Sequence, residues 1–138
     1  MSEASLHLDA AGLCKRYALE RVTIDVLRGV SLQVRHGESV AITGASGAGK
    51  STLLHTLGGL DRPTGGTVRL DGIDLYEQPS AVRTEVRATR IGFVFQAYHL
   101  LPELDVLDNV MLPALSRSGA LGRMAALQSR ARALLSSV

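Results

Sequence analysis

Residues 44–52 read GASGAGKST, a run of glycines, hydroxyl side chains and one lysine that could bind a chain of phosphates. The run fits the pattern G-x-x-x-x-G-K-[ST], with Gly44, Gly49, Lys50 and Ser51 at the fixed positions. Glycines let backbone N–H groups crowd round an anion, because no side chain stands in the way. A helix that begins at Lys50 would also point its unpaired N–H groups at that anion. The spacing predicts a nucleoside triphosphate site, and we call residues 44–52 the phosphate-binding loop.

The polar side chains of the phosphate-binding loop each have a predicted role. Lys50 would reach the β- and γ-phosphates, the Ser51 hydroxyl would ligate Mg²⁺, and Thr52 would add a donor near the α-phosphate. A glycine-rich turn without a ligand is the alternative interpretation. Kinases, GTPases and transport ATPases share this loop, so the flanking sequence must separate them. The predicted nucleotide-binding residues of the loop are Gly44, Ala45, Ser46, Gly47, Ala48, Gly49, Lys50, Ser51 and Thr52.

A strand and a helix must position the loop. Residues 39–43 form a short apolar run, which is typical of a strand covered on both faces of a parallel sheet. Leucines then recur at helical spacing, and Gly58-Gly59 is a plausible end for that helix. The apolar positions of the predicted helix are Leu53, Leu54, Leu57 and Leu60.

Alternating and helical apolar patterns predict the remaining elements. The turn Asp71-Gly72 favours a β-hairpin, because this pair readily adopts the positive φ angles of a type I′ turn. Asp105 is predicted to cap a helix that begins at Val106. Strands are predicted at residues 6–17, 30–34 and 91–95, the hairpin at 67–75, and further helices at 80–87 and 119–138, the last with Leu121, Met124, Ala131, Leu134 and Leu135 as its apolar members.

Length and composition limit the functional classes. The 138 residues allow one domain of ordinary size. A net charge of +2 and an aromatic content of 4% argue against a dedicated nucleic-acid binder. The single cysteine, Cys14, excludes an intrachain disulfide framework and a multi-cysteine zinc site, and it fits a reducing cytosol. No apolar run approaches the roughly 18 residues of a membrane span, so we expect a soluble, cytoplasmic chain.

The remaining polar groups suggest no second site. The histidines have no metal-ligand spacing, and we assign none of them a catalytic role. The C-terminal arginines are interpreted as one solvated helix face, with phosphate contacts from a lid as the alternative. The histidines are His7, His36, His55 and His99, and the arginines are Arg117, Arg123, Arg130 and Arg132.

Two long strings carry a resemblance to a known family. Residues 26–72, which contain KSTLLHTLGGLDRPTGG, and residues 90–115, which contain FQAYHLLPELDVLDNV, resemble the nucleotide-binding subunits of ABC transporters. Within that superfamily they are most similar to the ATPases of lipoprotein-releasing systems, then to macrolide-exporter and cell-division types. The resemblance covers most of residues 6–116. It implies an α/β P-loop NTPase fold in its N-terminal part, with an antiparallel β subdomain and an incomplete parallel-sheet core over about 6–104, and the start of a helical subdomain over about 105–138.

The resemblance also implies further site residues and partners. Tyr17 matches the family's aromatic that stacks on adenine, although a strand-end tyrosine that covers the core is the alternative. Gln96 matches the glutamine that contacts Mg²⁺ and reports nucleotide state to the membrane partner. The segment Gln96 to Leu104 matches the surface that faces the permease subunits. Its large apolar residues, Tyr98, Leu100 and Leu101, are more usual at an interface than in open solvent, and ordinary core packing is the alternative for each. The implied cofactors are ATP and Mg²⁺, and the implied partners are an integral-membrane permease and a second ATPase subunit, at the cytoplasmic face of the inner membrane, with no nucleic acid.

The sequence departs from the family's pattern downstream of Gln96. The 138 residues contain no LSGGQ-like signature, no apolar strand that ends in Asp-Glu and no switch histidine after it. Asp71 and Asp74 do not replace the missing carboxylates, since they lie in the predicted hairpin. We therefore expect this chain to bind nucleotide without hydrolysing it at a transporter-like rate, and we assign it no catalytic residue. A small P-loop kinase with an arginine lid and an inactive remnant are the alternatives, and the string FQAYHLLP argues against the kinase.

Overall fold

A computed structural model describes residues 6–20, 22–115 and 121–138. The chain divides into two compact units, of which the first ends at Arg83 and the second begins at Thr84. We describe each unit by itself. The elements in chain order are β1 (Leu6–Leu19), β2 (Val22–Arg35), α1 (Lys50–Leu57), β3 (Gly65–Leu70), β4 (Ile73–Asp74), α2 (Ser80–Arg90), α3 (Val106–Leu115), a 3₁₀ turn (Leu121–Arg123) and α4 (Met124–Leu135).

The first unit is built on a four-stranded sheet in the order β2-β1-β3-β4, and all its pairs are antiparallel. The central strand β1 pairs with β2 on one side and with β3 on the other, so that Leu8 lies opposite both Val34 and Leu70. Leu13 and Val68 are completely buried. The predicted strand at 6–17 is confirmed, whereas β2 begins eight residues before the predicted start at Val30.

The bounds of α1 and the hairpin agree with the prediction, although Leu54 and Leu60, predicted as apolar positions of the helix, are 51% and 46% exposed, and Leu60 lies beyond its end. Leu53, Thr56 and Leu57 are the buried residues of α1, and the helix ends at the predicted glycines. The hydroxyl of the buried Tyr76 lies 2.6 Å from the carbonyl of Thr56 and 2.7 Å from that of Asp61, and so links the hairpin to the end of α1. The turn between β3 and β4 has positive φ at both central positions, 49° at Asp71 and 79° at Gly72, which confirms the predicted type I′ geometry.

Two predicted strands are wrong. Neither residues 39–43 nor residues 91–95 form a strand, although their apolar content is that of a buried strand. A strand is defined by a hydrogen-bonded neighbour, and within the described part of the chain no strand lies alongside either segment. As a result, Val94 is fully exposed and Val40 is about half exposed. The apolar content of a segment indicates that it favours burial, but it does not show that a neighbouring strand is present to pair with it.

The second unit contains most of α2, together with α3 and α4. Helix α2 continues three residues beyond the predicted end at Arg87. The predicted cap of α3 is confirmed, because the Asp108 backbone N–H donates to Asp105 Oδ1 at 2.7 Å. Met111 of α3 and Ala131 of α4 are the buried side chains of the two helices, which pack together.

The C-terminal helix is shorter than predicted. The predicted start at Gly119 lies outside the described residues, and a 3₁₀ turn at Leu121–Arg123 precedes α4. Leu134, predicted as a member of the apolar face, is 55% exposed. Among the described residues, no helix is both long enough and apolar enough to cross a bilayer.

Candidate functional site

The phosphate-binding loop is a tight backbone ring between β2 and α1. Gly47 and Gly49 have φ angles of 78° and 88°, a region that side chains other than glycine's rarely adopt. A Cβ at Gly49 would stand 3.0 Å from Val26 Cγ1 and 3.1 Å from the Val26 carbonyl oxygen. Gly49 therefore has to be glycine for two reasons, its backbone conformation and its close approach to β2.

Lys50 occupies the centre of this ring. Its Nζ donates hydrogen bonds to the backbone carbonyls of Gly44, at 2.9 Å, and Ala45, at 2.6 Å. The ammonium group is thereby folded back over the loop instead of extending into solvent. A positive charge is held where the loop predicts the phosphates to bind.

The first turn of α1 completes the site. Its backbone N–H groups begin at Lys50, and Gly49 before it carries no side chain that could cap them. The Ser51 hydroxyl is on an exposed residue of the same turn. Loop curvature, lysine, helix N-terminus and hydroxyl together fit a triphosphate with a bound Mg²⁺ ion.

Tyr17 lies near the end of β1, and it is about one-third exposed. Its hydroxyl donates to Asp61 Oδ2 at 2.5 Å, and the Lys15 ammonium lies 4.8 Å from the centre of its ring. Lys15 also forms a salt bridge with Asp61 and donates to the Arg62 carbonyl at 2.7 Å. We call Lys15, Tyr17 and Asp61 the tyrosine cluster.

The electrostatics of the tyrosine cluster follow from these bonds. The hydrogen bond to Asp61 raises the pKa of Tyr17, with burial acting in the same direction and a hydrogen bond with Thr52 acting against it. Partial burial acts to raise the pKa of Asp61, but the hydrogen bonds from Lys15 and Tyr17 outweigh it, and the pKa is lowered. Thr52, which acts on the pKa of Tyr17, belongs to the phosphate-binding loop.

Gln96 lies in the second unit, on the segment between α2 and α3, and its side chain is exposed. Its assignment to Mg²⁺ stays a prediction, as do the nucleotide contacts of Tyr17 and of the loop residues. Tyr17 and the phosphate-binding loop both lie within the first unit, where Thr52 of the loop is near enough to affect the pKa of Tyr17.

The segment from Gln96 to Leu104 exposes large apolar side chains. Tyr98 is 90% exposed and Leu100 is 65% exposed. The segment is held at its far end by Asn109, whose side chain accepts from the Leu101 N–H at 2.9 Å and donates to the Leu101 carbonyl at 3.1 Å. A shallow apolar groove follows from this arrangement, and it is lined by Leu100, Leu101, Pro102, Leu104, Val106, Asn109 and Val110.

Two groups of polar residues escaped the sequence reasoning. Asp61 anchors the tyrosine cluster from 44 positions away from Tyr17. His7, His36 and Asp71 also converge, although the histidine spacing predicted no ligand set. The pairing of β1 with β2 and β3 brings His7, His36 and Asp71 together. Asp61 lies in the connection between α1 and β3 and reaches Tyr17 through its side chain. The spacing of the sequence gives no signal for either group.

A family model described as "ABC transporter" matches residues 27–138 of the chain. Among curated relatives, the lipoprotein-releasing system ATP-binding protein LolD of Geobacter metallireducens is 50% identical over 108 residues, 78% of this chain and 48% of that protein. LolD of Shewanella frigidimarina is 50% identical over 107 residues, 78% of this chain and 45% of that protein. The chain therefore spans about half the length of the curated relatives it matches.

Solved structures agree with the sequence comparison. A dimeric post-hydrolysis state of the ATP-binding cassette MJ0796, bound to ADP and Pi, superposes with a TM-score of 0.82 at 37% identity, covering 94% of this chain and 56% of that one. A second dimeric structure of MJ0796, described as a bacterial ABC transporter cassette, gives a TM-score of 0.75 at 39% identity, over 81% and 49% of the two chains. These similarities confirm the predicted fold class.

Proposed function

Because the chain belongs to the ABC transporter family, we propose that it is the nucleotide-binding part of an energy-coupling ATPase subunit that serves lipoprotein release. The observation that carries the proposal is the phosphate-binding loop, in which Gly49 is seated against β2 and Lys50 lies over the ring. The lipoprotein cargo rests on the two LolD relatives, each 50% identical to this chain.

Different groups of the loop would bind different parts of MgATP. The backbone N–H groups of residues 44–52 and the first turn of α1 would bind the phosphate oxygens, and Lys50 would exchange its two carbonyl contacts for the β- and γ-phosphates. The Ser51 hydroxyl would ligate Mg²⁺, which neutralises phosphate charge. The outer face of Tyr17, opposite Lys15, would stack on adenine.

The partners follow from the family and from the exposed segment. Tyr98 and Leu100 are large apolar groups with little burial in this chain, a composition that suits an interface better than open solvent. We propose that the segment from Gln96 to Leu104 contacts an integral-membrane permease at the cytoplasmic face of the membrane. MJ0796 is dimeric in both solved structures, and a second ATPase subunit is the corresponding partner here.

Binding, rather than turnover, is the activity proposed for these 138 residues alone. They contain no signature sequence and no Asp-Glu pair at the end of an apolar strand, which are the groups that the family uses to close over the γ-phosphate and to activate water. The loop would hold the triphosphate, but these residues supply no group that orients and activates the attacking water, so we expect hydrolysis well below a transporter-like rate.

The experiment is a titration of the chain with a fluorescent ATP analogue and Mg²⁺, comparing Lys50→Ala with the unaltered sequence. The loss of a charge-assisted contact of about 1.5–3 kcal/mol predicts a dissociation constant about 10- to 100-fold higher. Arg69→Ala, at an exposed position of β3, is the matched control and should bind like the parent. Equal affinity for the Lys50→Ala variant and the parent chain would contradict the proposal.

A further inference from the structure

Three side chains from separate parts of the first unit converge at one end of its sheet. His7 is near the start of β1, His36 follows the end of β2, and Asp71 is in the turn between β3 and β4. Asp71 Oδ1 lies 2.8 Å from His7 Nδ1 and 3.1 Å from His36 Nε2. The imidazole rings pack against each other with centroids 4.4 Å apart. We call these three residues the histidine cluster.

Backbone contacts fix the positions from which the three side chains extend. The Asp71 N–H donates to the His7 carbonyl at 2.8 Å, and Leu6 pairs with Arg35 immediately before His36. The turn that contains His36 is closed by Glu38, whose carboxylate accepts from the Arg35 N–H at 2.8 Å. The cluster is therefore a product of the sheet register and not of a chance meeting of mobile side chains.

We propose that the histidine cluster binds one divalent transition-metal ion, with Zn²⁺ as the representative species. One nitrogen from each imidazole and one oxygen of Asp71 lie within 4.8 Å of one another. Ligand distances of about 2.0–2.2 Å to zinc bring such atoms to roughly 3.3 Å apart in a tetrahedral site. His7 and His36 have side chains 38% and 57% exposed, so both rings have room for this adjustment.

The donor set decides which metal fits. Two imidazole nitrogens with one carboxylate suit zinc, copper or nickel, whereas Mg²⁺ prefers oxygen ligands and keeps several waters. Solvent at the exposed side of the cluster supplies the fourth ligand. The site differs in both chemistry and place from the Mg²⁺ position proposed at Ser51, so it does not depend on nucleotide binding.

A bound metal ion would join three connections of the sheet at one point. His36 lies three residues before 39–43, the segment that leads into the phosphate-binding loop and has no strand neighbour among the described residues. Zinc would therefore stabilise the start of that segment by linking it to β1 and to the β3–β4 turn.

The experiment measures Zn²⁺ binding to the 138-residue chain in competition with a chromophoric chelator, without nucleotide and with a phosphine reductant. We expect one ion per chain, and a dissociation constant at least about tenfold higher in His36→Gln, His7→Gln and Asp71→Asn. His99→Gln, a histidine outside the cluster, is the matched control, and Lys50→Ala should keep zinc binding while it loses nucleotide. Circular dichroism verifies that each variant retains the parent fold.

Two results would overturn this inference. The first is stoichiometric zinc binding that survives all three cluster variants, which would place the ligands elsewhere, with Cys14 as the first alternative to test. The second is no saturable zinc binding by a folded parent chain, together with a lower thermal stability of the cluster variants in metal-free buffer. That outcome would leave the cluster as a hydrogen-bonded group only.

Discussion

The phosphate-binding loop is proposed to bind nucleotide, and the segment from Gln96 to Leu104 is proposed to contact the permease. The two regions differ in the contacts that fix their positions. The loop is fixed by contacts inside its own unit: Gly49 packs closely against Val26 of β2, and Lys50 donates hydrogen bonds to two carbonyls of the loop. The other segment is hydrogen-bonded to Asn109, but the side chains of Tyr98 and Leu100 are mostly exposed. A binding site for a small anion can be completed by one chain, whereas a docking surface stays exposed until its partner covers it.

This difference predicts an order of sensitivity to substitution. Changes in the sheet beneath the loop should destabilise most, changes in the loop's own packing less, and changes in the exposed segment least. Equilibrium unfolding in urea measures all of them on one scale.

Leu13→Ala should have the largest effect, because Leu13 is completely buried in β1, the strand that connects both sides of the sheet. The expected loss is about 2–5 kcal/mol in the free energy of unfolding. Leu19→Ala, at a position 58% exposed on the same strand, is the control and should change little. Similar losses of stability at the two positions would contradict the burial of Leu13 in the core of the sheet.

Gly49→Ala should come second, at about 1–3 kcal/mol, because the new Cβ meets Val26 while the backbone keeps a positive φ. Gly47→Ala separates the two causes. Its φ is similarly positive, but a Cβ there would have no atom within 4 Å, so it should show the backbone strain alone. The same unfolding experiment gives the difference, and equal losses would refute the packing of the loop against β2.

The sequence predicted the elements whose signals are local. The loop, α1, the Asp71-Gly72 turn and the Asp105 cap each depend on residues within a few positions of one another, and the structure confirms all of them as elements. The strands at 39–43 and 91–95 failed because a strand needs a neighbour that apolar content does not specify.

The missed groups have the same physical cause. Asp61 meets Tyr17, and Asp71 meets His7, through side-chain hydrogen bonds between residues 44 and 64 positions apart. The spacing of residues in one sequence does not indicate which distant side chains will meet. The residues of the phosphate-binding loop are contiguous in the chain, so their pattern could be recognised from the sequence.

Tyr17→Phe should cost about 0.5–1.5 kcal/mol at neutral pH by removing the hydrogen bond to Asp61. The lowered pKa of Asp61 means that its contribution is present above the ordinary value of 3.8 and is lost as the pH falls through the lower, folded-state pKa. The raised pKa of Tyr17 means that the hydroxyl contributes below 10.0 and is lost as the pH rises through its folded-state value.

Urea unfolding of the parent and Tyr17→Phe at several pH values tests this window. The difference between them should be greatest between about pH 5 and 9, and should shrink below about pH 3. Asp61→Asn should remove most of the acid-side dependence. A difference that is constant across the whole range would show that the hydroxyl acts through packing alone.

Leu100→Ser should have the smallest effect, within about 0.5 kcal/mol, since the side chain is 65% exposed. The measurement is again urea unfolding, with Leu13→Ala as the buried counterpart. A loss above about 1 kcal/mol would show that the segment is packed within this chain, and would remove the contrast with the phosphate-binding loop.

The strand order β2-β1-β3 has a consequence for the route of folding. The phosphate-binding loop and α1 lie in the connection between β2 and β3, and this connection is closed only when β3 pairs with β1, at contacts such as Leu8 with Leu70. Such distant pairing carries a loop-closure cost and slows folding. During synthesis, the anion site would emerge from the ribosome before Leu70 does, so we expect nucleotide affinity to develop only after the hairpin has been translated.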